Sequence, residues 1–211
     1  MASAPAGERC VRRKTLLGVA LALVAALGLA GCGTKDGTFS GDRLKSVWPA
    51  STVALTDTHG SPYSLATDTE DHRLTLVFFG YTHCPDLCPI TMNNIAAAFN
   101  RLDDRDRART GMVFVTSDPR RDTTSVLRSY LDGYNKSFVG LTGSLPAITR
   151  VATPFHIYIS SGKLLPSGGR DLGGHSTIVL GMEDGKAVVL WKQGTSATEF
   201  ASDIHSLLNE D

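Results

Sequence analysis

Two cysteines with three residues between them, Cys84 and Cys88, are the side chains in this sequence best equipped for chemistry. They stand in Phe78-Phe79-Gly80-Tyr81-Thr82-His83-Cys84-Pro85-Asp86-Leu87-Cys88-Pro89, where an apolar run gives way to a proline-bounded segment. A thiol at the first turn of a helix meets unpaired backbone N–H groups and the positive end of the helix dipole, which favour the thiolate and lower the cysteine pKa. The thiolate is both a metal ligand and the nucleophile of disulfide exchange. A spacing of four, with Pro85 and Pro89 restricting the backbone, brings both sulfurs to one side of the loop and first turn. They can then share one ion or one bond. Two soft sulfurs suit Cu(I), and an added imidazole makes a trigonal site that also accepts Cu(II). Structural zinc calls for four protein ligands, and the sequence has no second pair of this kind.

Spacing does not single out a third ligand among the six histidines. His83 adjoins Cys84, but neighbouring side chains diverge, so a tuning or structural role suits it better than ligation. His59 falls in a turn, and His72, His156 and His205 have no cysteine near them in sequence. Met92, one turn beyond Cys88, reads as a core residue. An inert structural disulfide is the plain alternative for the pair; the strand-to-helix location argues against it.

The elements that must position the thiols are legible from periodicity. Leu74 to Phe79 is continuously apolar, as expected of a strand buried on both faces. Ile90, Asn94, Ile95, Ala98, Phe99 and Leu102 recur at helical spacing, predicting a helix over 89–107. Strands are expected at 112–116, 138–141 and 155–160, and helices at 123–134, 145–151 and 197–208. Asp122 reads as the cap of the second helix, and Asp118 either tunes the site or caps its turn. Two hairpins are expected, at 53–65 and 177–191, the latter around Glu183-Asp184-Gly185, with a glycine-rich loop over 162–174. This order argues for an α/β protein with a central mixed sheet flanked by helices and an N-terminal β-hairpin. It is the order of a thioredoxin-like fold.

The first residues read differently. Arg9, Arg12, Arg13 and Lys14 precede an uncharged apolar run, Leu16 to Ala30, that is shorter than the roughly 20 residues of a membrane span. It ends in Leu29-Ala30-Gly31-Cys32, which resembles a bacterial lipobox. Residues 1–31 are accordingly expected to be a signal peptide, Cys32 the lipidated residue, 32–45 a tether, and 46–211 the folded domain. Loss of the leader, with Cys10, leaves seventeen basic and twenty acidic residues, a balance with no nucleic-acid footprint. Cys84 and Cys88 would then be the free thiols of a domain on the extracytoplasmic face of a bacterial membrane.

Taken together, the motifs resemble one family. Gly80-Tyr81-Thr82-His83-Cys84-Pro85-Asp86-Leu87-Cys88-Pro89 is similar to the Sco/SenC signature. Ser117-Asp118-Pro119-Arg120-Arg121-Asp122-Thr123 resembles that family's second motif. Leu141-Thr142-Gly143 and His175-Ser176 are similar to its later ones, in the same order. The resemblance covers roughly residues 46–208. It implies a thioredoxin-like protein that binds copper, as Cu(I) and also Cu(II), through Cys84, Cys88 and His175. It further implies assembly of the dinuclear copper site of cytochrome c oxidase. Two roles are open: a metallochaperone delivering copper to the copper-bearing subunit or another extracytoplasmic acceptor, or a thiol-disulfide oxidoreductase reducing the acceptor cysteines. Delivery is ligand exchange rather than enzymatic catalysis. Gly173-Gly174 departs from the family, in which an acidic residue often precedes the histidine; Asp171 is a substitute. A peroxiredoxin-like site would place Thr three residues before Cys84, where this sequence has Tyr81.

Overall fold

Seven consecutive residues, Leu74–Gly80, form a strand buried along its whole length, so this strand must lie inside a sheet covered on both faces. The computed structural model describes residues 39–159, 163–164, 170–171 and 177–210. In chain order the strands are β1 (Asp42–Pro49), β2 (Leu55–Asp57), β3 (Pro62–Tyr63), β4 (Leu74–Gly80), β5 (Thr110–Thr116), β6 (Val139–Thr142), β7 (Lys163–Leu164), β8 (Arg170–Asp171), β9 (Val179–Glu183) and β10 (Lys186–Trp191). The helices are α1 (Leu87–Phe99), α2 (Asp104–Ala108), α3 (Thr124–Asp132), α4 (Leu145–Ala152) and α5 (Ala197–Leu208). Eight strands make one sheet in the order β1-β10-β9-β4-β5-β6-β2-β3. β4, β5 and β6 run parallel, and β9, β10 and β1 continue the sheet antiparallel beyond β4.

The two faces separate as a period of two requires. Leu74, Leu76 and Phe78 pack with Met92, Ile95 and Phe99 of α1, Leu127 and Leu131 of α3, and Phe200 and Ile204 of α5. Val77 and Phe79 pack on the opposite face with Ile148 and Val151 of α4 and with Phe155. Each such fully buried side chain contributes about 1.5–3 kcal/mol. The mixed sheet flanked by helices is the thioredoxin-like arrangement expected from the element order. Both expected hairpins form, β2–β3 and β9–β10; Asp184 (φ 47°) and Gly185 (φ 69°) adopt the left-handed turn that the second requires.

Three expectations change. The single helix over 89–107 is two, because Asp103 accepts a hydrogen bond from Asp106 N (2.8 Å) and caps a new helix, α2. The strand expected at 155–160 does not form over its described residues, 155–159: Thr153–Phe155 is a 3-10 turn ending at His156 with φ 56°, although Phe155, Ile157 and Ile159 alternate into the core as their pattern requires. Ordered structure also begins before Ser46. β1 pairs Asp42 with Leu190, and the carboxylate of Asp203, 1% exposed, accepts hydrogen bonds from Ser40 N (3.0 Å), Gly41 N (2.8 Å) and Trp191 Nε1 (2.7 Å). A polar-looking segment is thus held by a buried acceptor on α5, which hydropathy does not reveal. Among the described residues no helix is long and apolar enough to cross a membrane.

Candidate metal centre

The chain leaves β4 at Gly80, whose carbonyl accepts hydrogen bonds from Ser117 N (2.6 Å) and Ser117 Oγ (3.1 Å) and so fixes the end of β4 to the end of β5. Four residues on lies Cys84, 8% exposed, and Cys88 is the second residue of α1, wholly buried. α1 has no side-chain cap from Asp86; instead the Cys88 N–H donates to Cys84 Sγ at 3.4 Å. The sulfur occupies the acceptor position that an N-cap oxygen usually fills. Both cysteines are unbridged thiols.

Their environments differ. Burial raises the Cys84 pKa, but hydrogen bonds from the N–H groups of Asp86 and Cys88, the Cys88 thiol and the Tyr81 hydroxyl outweigh it, and the net shift is downward. Burial pushes Cys88 up to about 12, with the Cys84 sulfur and the Asp122 carboxylate adding to the rise and the Tyr81 N–H opposing it. The helix terminus therefore activates one thiol rather than both: Cys84 is the more acidic of the pair, and Cys88 holds its proton the more firmly. Tyr81 contacts both sulfurs, and burial and the two cysteines push its own hydroxyl up to about 12. Gly80 completes the packing, since a Cβ there would lie 3.0 Å from Cys88 Sγ and 3.0 Å from the Phe114 ring.

A second group, not evident from the sequence, holds this loop. Asp122 is completely buried. Its carboxylate accepts from Thr82 N (3.0 Å), Thr82 Oγ1 (2.6 Å) and Thr116 Oγ1 (2.6 Å), and its carbonyl accepts from Thr142 Oγ1 (3.0 Å). It ties the cysteine loop to the ends of β5 and β6. Thr123, not Asp122, caps α3, accepting from Val126 N at 3.3 Å. Asp118 is ion-paired with Arg121 and supports the turn in which Asp122 N donates to Asp118 O (3.0 Å). The signal available in the sequence was the pair of threonines, Thr82 and Thr116, each just past a buried strand; nothing there says that they converge on one carboxylate.

The remaining expected residues separate. His83 is exposed, with Nδ1 2.9 Å from Thr82 Oγ1 and 3.8 Å from Asp122 Oδ1. His205 bonds to Asp106 (2.6 Å), His156 packs edge-on against Trp48, and Met92 is core. His175, Asp171's side chain and Cys32 lie outside the described residues, as do 1–31 and the first half of the expected tether, 32–38. Among the described residues no three His, Cys, Asp or Glu side chains converge as a metal site. The described donors are the two sulfurs, a soft pair suited to Cu(I).

Comparison with known proteins bears on this arrangement. A family model described as SCO1/SenC matches residues 50–209. Over 156 residues the chain is 30% identical to "Protein sco1" of Schizosaccharomyces pombe, a match covering 72% of this chain and 58% of that protein. The chain covers less than two thirds of the curated relatives it matches. The solution structure of apo Sco1 from Thermus thermophilus superimposes with a TM-score of 0.68 at 28% identity, covering 81% of this chain and 97% of that one. The copper-bound ScoI of Bradyrhizobium japonicum does so with a TM-score of 0.64 at 28% identity, covering 75% and 99%.

Proposed function

Since the chain belongs to the SCO1/SenC family, we propose that it is a copper carrier of the extracytoplasmic membrane face. One copper ion is its cargo, and the acceptor is the dinuclear copper site of cytochrome c oxidase or another extracytoplasmic copper protein. The observation that carries the reading is the unequal thiol pair at the start of α1: a hydrogen-bonded, activated Cys84 beside a fully buried, protonated Cys88.

Cys84 engages Cu(I) first, because it is the more acidic and the less buried of the two thiols. Binding then removes the Cys88 proton, so loading the pair releases protons. His175 is the proposed third ligand. Its support is the register: β9 pairs Val179 with Phe78, which carries Thr177 to the level of Gly80, where the cysteine loop begins. His175 is two residues from Thr177, within about 7 Å along the chain. The copper-bound relative supports the choice of metal.

Cys32 is the proposed lipid site. Trp191 pairs with Val179, and Asp42 with Leu190, so β1 begins at the end of the sheet that carries the cysteines. Cys32 lies at most about 28 Å of extended chain before Ser40. An anchor there would draw the cysteine end towards the membrane, where a membrane-bound acceptor would meet it.

Titration of the reduced chain with Cu(I) and Cu(II), followed by calorimetry and absorption, tests the reading. One equivalent bound, with a sulfur-to-copper charge-transfer band for Cu(II) that is lost in Cys84→Ser, supports it. No stoichiometric binding together with rapid disulfide exchange would assign the same two thiols to the oxidoreductase role instead.

A further inference from the structure

The end of the sheet away from the cysteines holds a cavity of about 560 Å³, a size that suits a small molecule. It opens between the turn before β4, helix α2 and the loop before β6, beside the first residues of β5. From Gly111 at the cavity to Thr116 at the cysteine loop is about 17 Å of strand, so the two places are separate. The other bonds of the polar side chains decide which atoms they offer to the cavity. Asn135 Oδ1 accepts from Ser137 N (2.9 Å) and Ser137 Oγ (2.9 Å), so its oxygen is committed and its amide N–H groups remain to donate. Arg107 Nη2 donates to Leu102 O (2.9 Å) and to Asp104 Oδ1 (2.9 Å). This fixes the guanidinium and leaves Nε and Nη1, both donors only, with no partner among the described residues. The half-buried His72 ring lies against Gly111, where a Cβ would come within 2.9 Å of Nδ1. A side chain at 111 would push this ring out, and among the described residues nothing hydrogen-bonds to it.

We infer that this cavity is a binding site for a small oxyanion, a carboxylate or phosphate group carried on a small organic molecule. Arg107 and Asn135 donate to its oxygens, and the His72 ring stands beside them. The charges agree with an anion. Asp104, the acidic residue of the lining, is fully exposed and already paired with Arg107, while Lys136, between the two loop residues, adds an exposed positive charge. Ala108 and Met112 line the same cavity and give the apolar part of such a molecule a wall. The site is independent of the copper-carrier reading, since it shares no residue with the thiol pair.

Histidine-observed NMR of the full reduced chain tests this, with titration by inorganic phosphate and, separately, by acetate at fixed pH and ionic strength. His72→Gln identifies the His72 signals. At least one anion is expected to move them along a saturable curve, and the one that saturates at the lower concentration names the group. Arg107→Gln should weaken that binding about tenfold, the worth of one hydrogen bond to a charged group. Asp104→Asn should tighten it, because it releases the guanidinium from its present partner. Both side chains are exposed, Arg107 by 43%, so neither substitution opens the core. Cys84→Ser should respond as the parent does. No saturable shift with either anion, or the same curve in Arg107→Gln as in the parent, would overturn the site. Weaker binding in Asp104→Asn would overturn the arrangement of donors, and loss of the response in Cys84→Ser would overturn the separation of the site from the thiols.

Discussion

Replacing Asp122 by Asn tests whether one buried carboxylate holds the metal loop in place. Three donors converge on its two oxygens: Thr82 N and Thr116 Oγ1 on Oδ2, and Thr82 Oγ1 on Oδ1. An amide keeps one acceptor oxygen and turns the other position into a donor, so at least one of these bonds becomes a donor facing a donor. Hydrogen bonds to a charged group are worth about 1.5–3 kcal/mol each, and a buried donor left without a partner adds a further cost. The expected loss is roughly 2–4 kcal/mol, which for a domain of this size lowers the melting temperature by about 4–16 °C. Asp118→Asn is the control from the same motif. Asp118 is buried, but its described side-chain partner is the single guanidinium of Arg121, 37% exposed, so its loss is expected to cost less than that of the three bonds at Asp122. Thermal and urea unfolding of the reduced parent and both variants gives the comparison. If Asp122→Asn melts within about 2 °C of the parent, the loop does not depend on that carboxylate. If Asp118→Asn costs more, the assignment of the two acids is reversed.

Other outcomes follow from the same geometry. Iodoacetamide should modify Cys84 first, at a pH below that of an ordinary thiol, and Cys88 only in strongly alkaline solution; equal rates would contradict the asymmetry. Because the Cys88 pKa is raised in the fold, its stabilising contribution is complete below the ordinary value of 9.0 and lost as pH rises to about 12, with a slope of about 1.4 kcal/mol per pH unit at most. Cys88→Ser should flatten that part of the stability profile, and an unchanged slope would refute the cause. Gly80→Ala should weaken Cu(I) binding and cost about 1–3 kcal/mol by overpacking Cys88 and Phe114, read by chelator competition and urea unfolding; unchanged affinity would show that Cys88 has room to shift. Asp203→Ala should expose β1 to limited proteolysis and cost roughly 2–3 kcal/mol from unpaired Trp191, Ser40 and Gly41 donors; resistance equal to the parent's would place the anchoring of β1 elsewhere.

Elements fixed by hydrophobic period were legible in the sequence. The apolar run before the cysteines is the buried central strand its pattern suggested, and α5 spans the 197–208 expected for it. What the sequence concealed depends on polar groups meeting across long chain separations. Asp203 reaches back over 163 residues to Ser40, and Asp122 over 40 residues to Thr82, and neither distance leaves a periodic trace. The break between α1 and α2 was missed because Asp103 and Asp104 read equally well as a charged helix face and as a cap followed by a first turn. The place of the two thiols at a helix start was legible. The split of their acidities was not, since it arises from the depth of Cys88 beneath Gly80 and from the hydrogen bonds to Cys84.

The most direct test of the central claim is Cu(II) titration of the reduced chain beside Cys84→Ser, Cys88→Ser and His175→Ala, followed by EPR and absorption. One ion per chain with a sulfur-to-copper band is expected, with no such band in either serine variant and with weakened binding but retained disulfide exchange in His175→Ala. Binding by His175→Ala as tight as by the parent would contradict the three-ligand site. Absence of stoichiometric binding by the parent would contradict copper carriage itself.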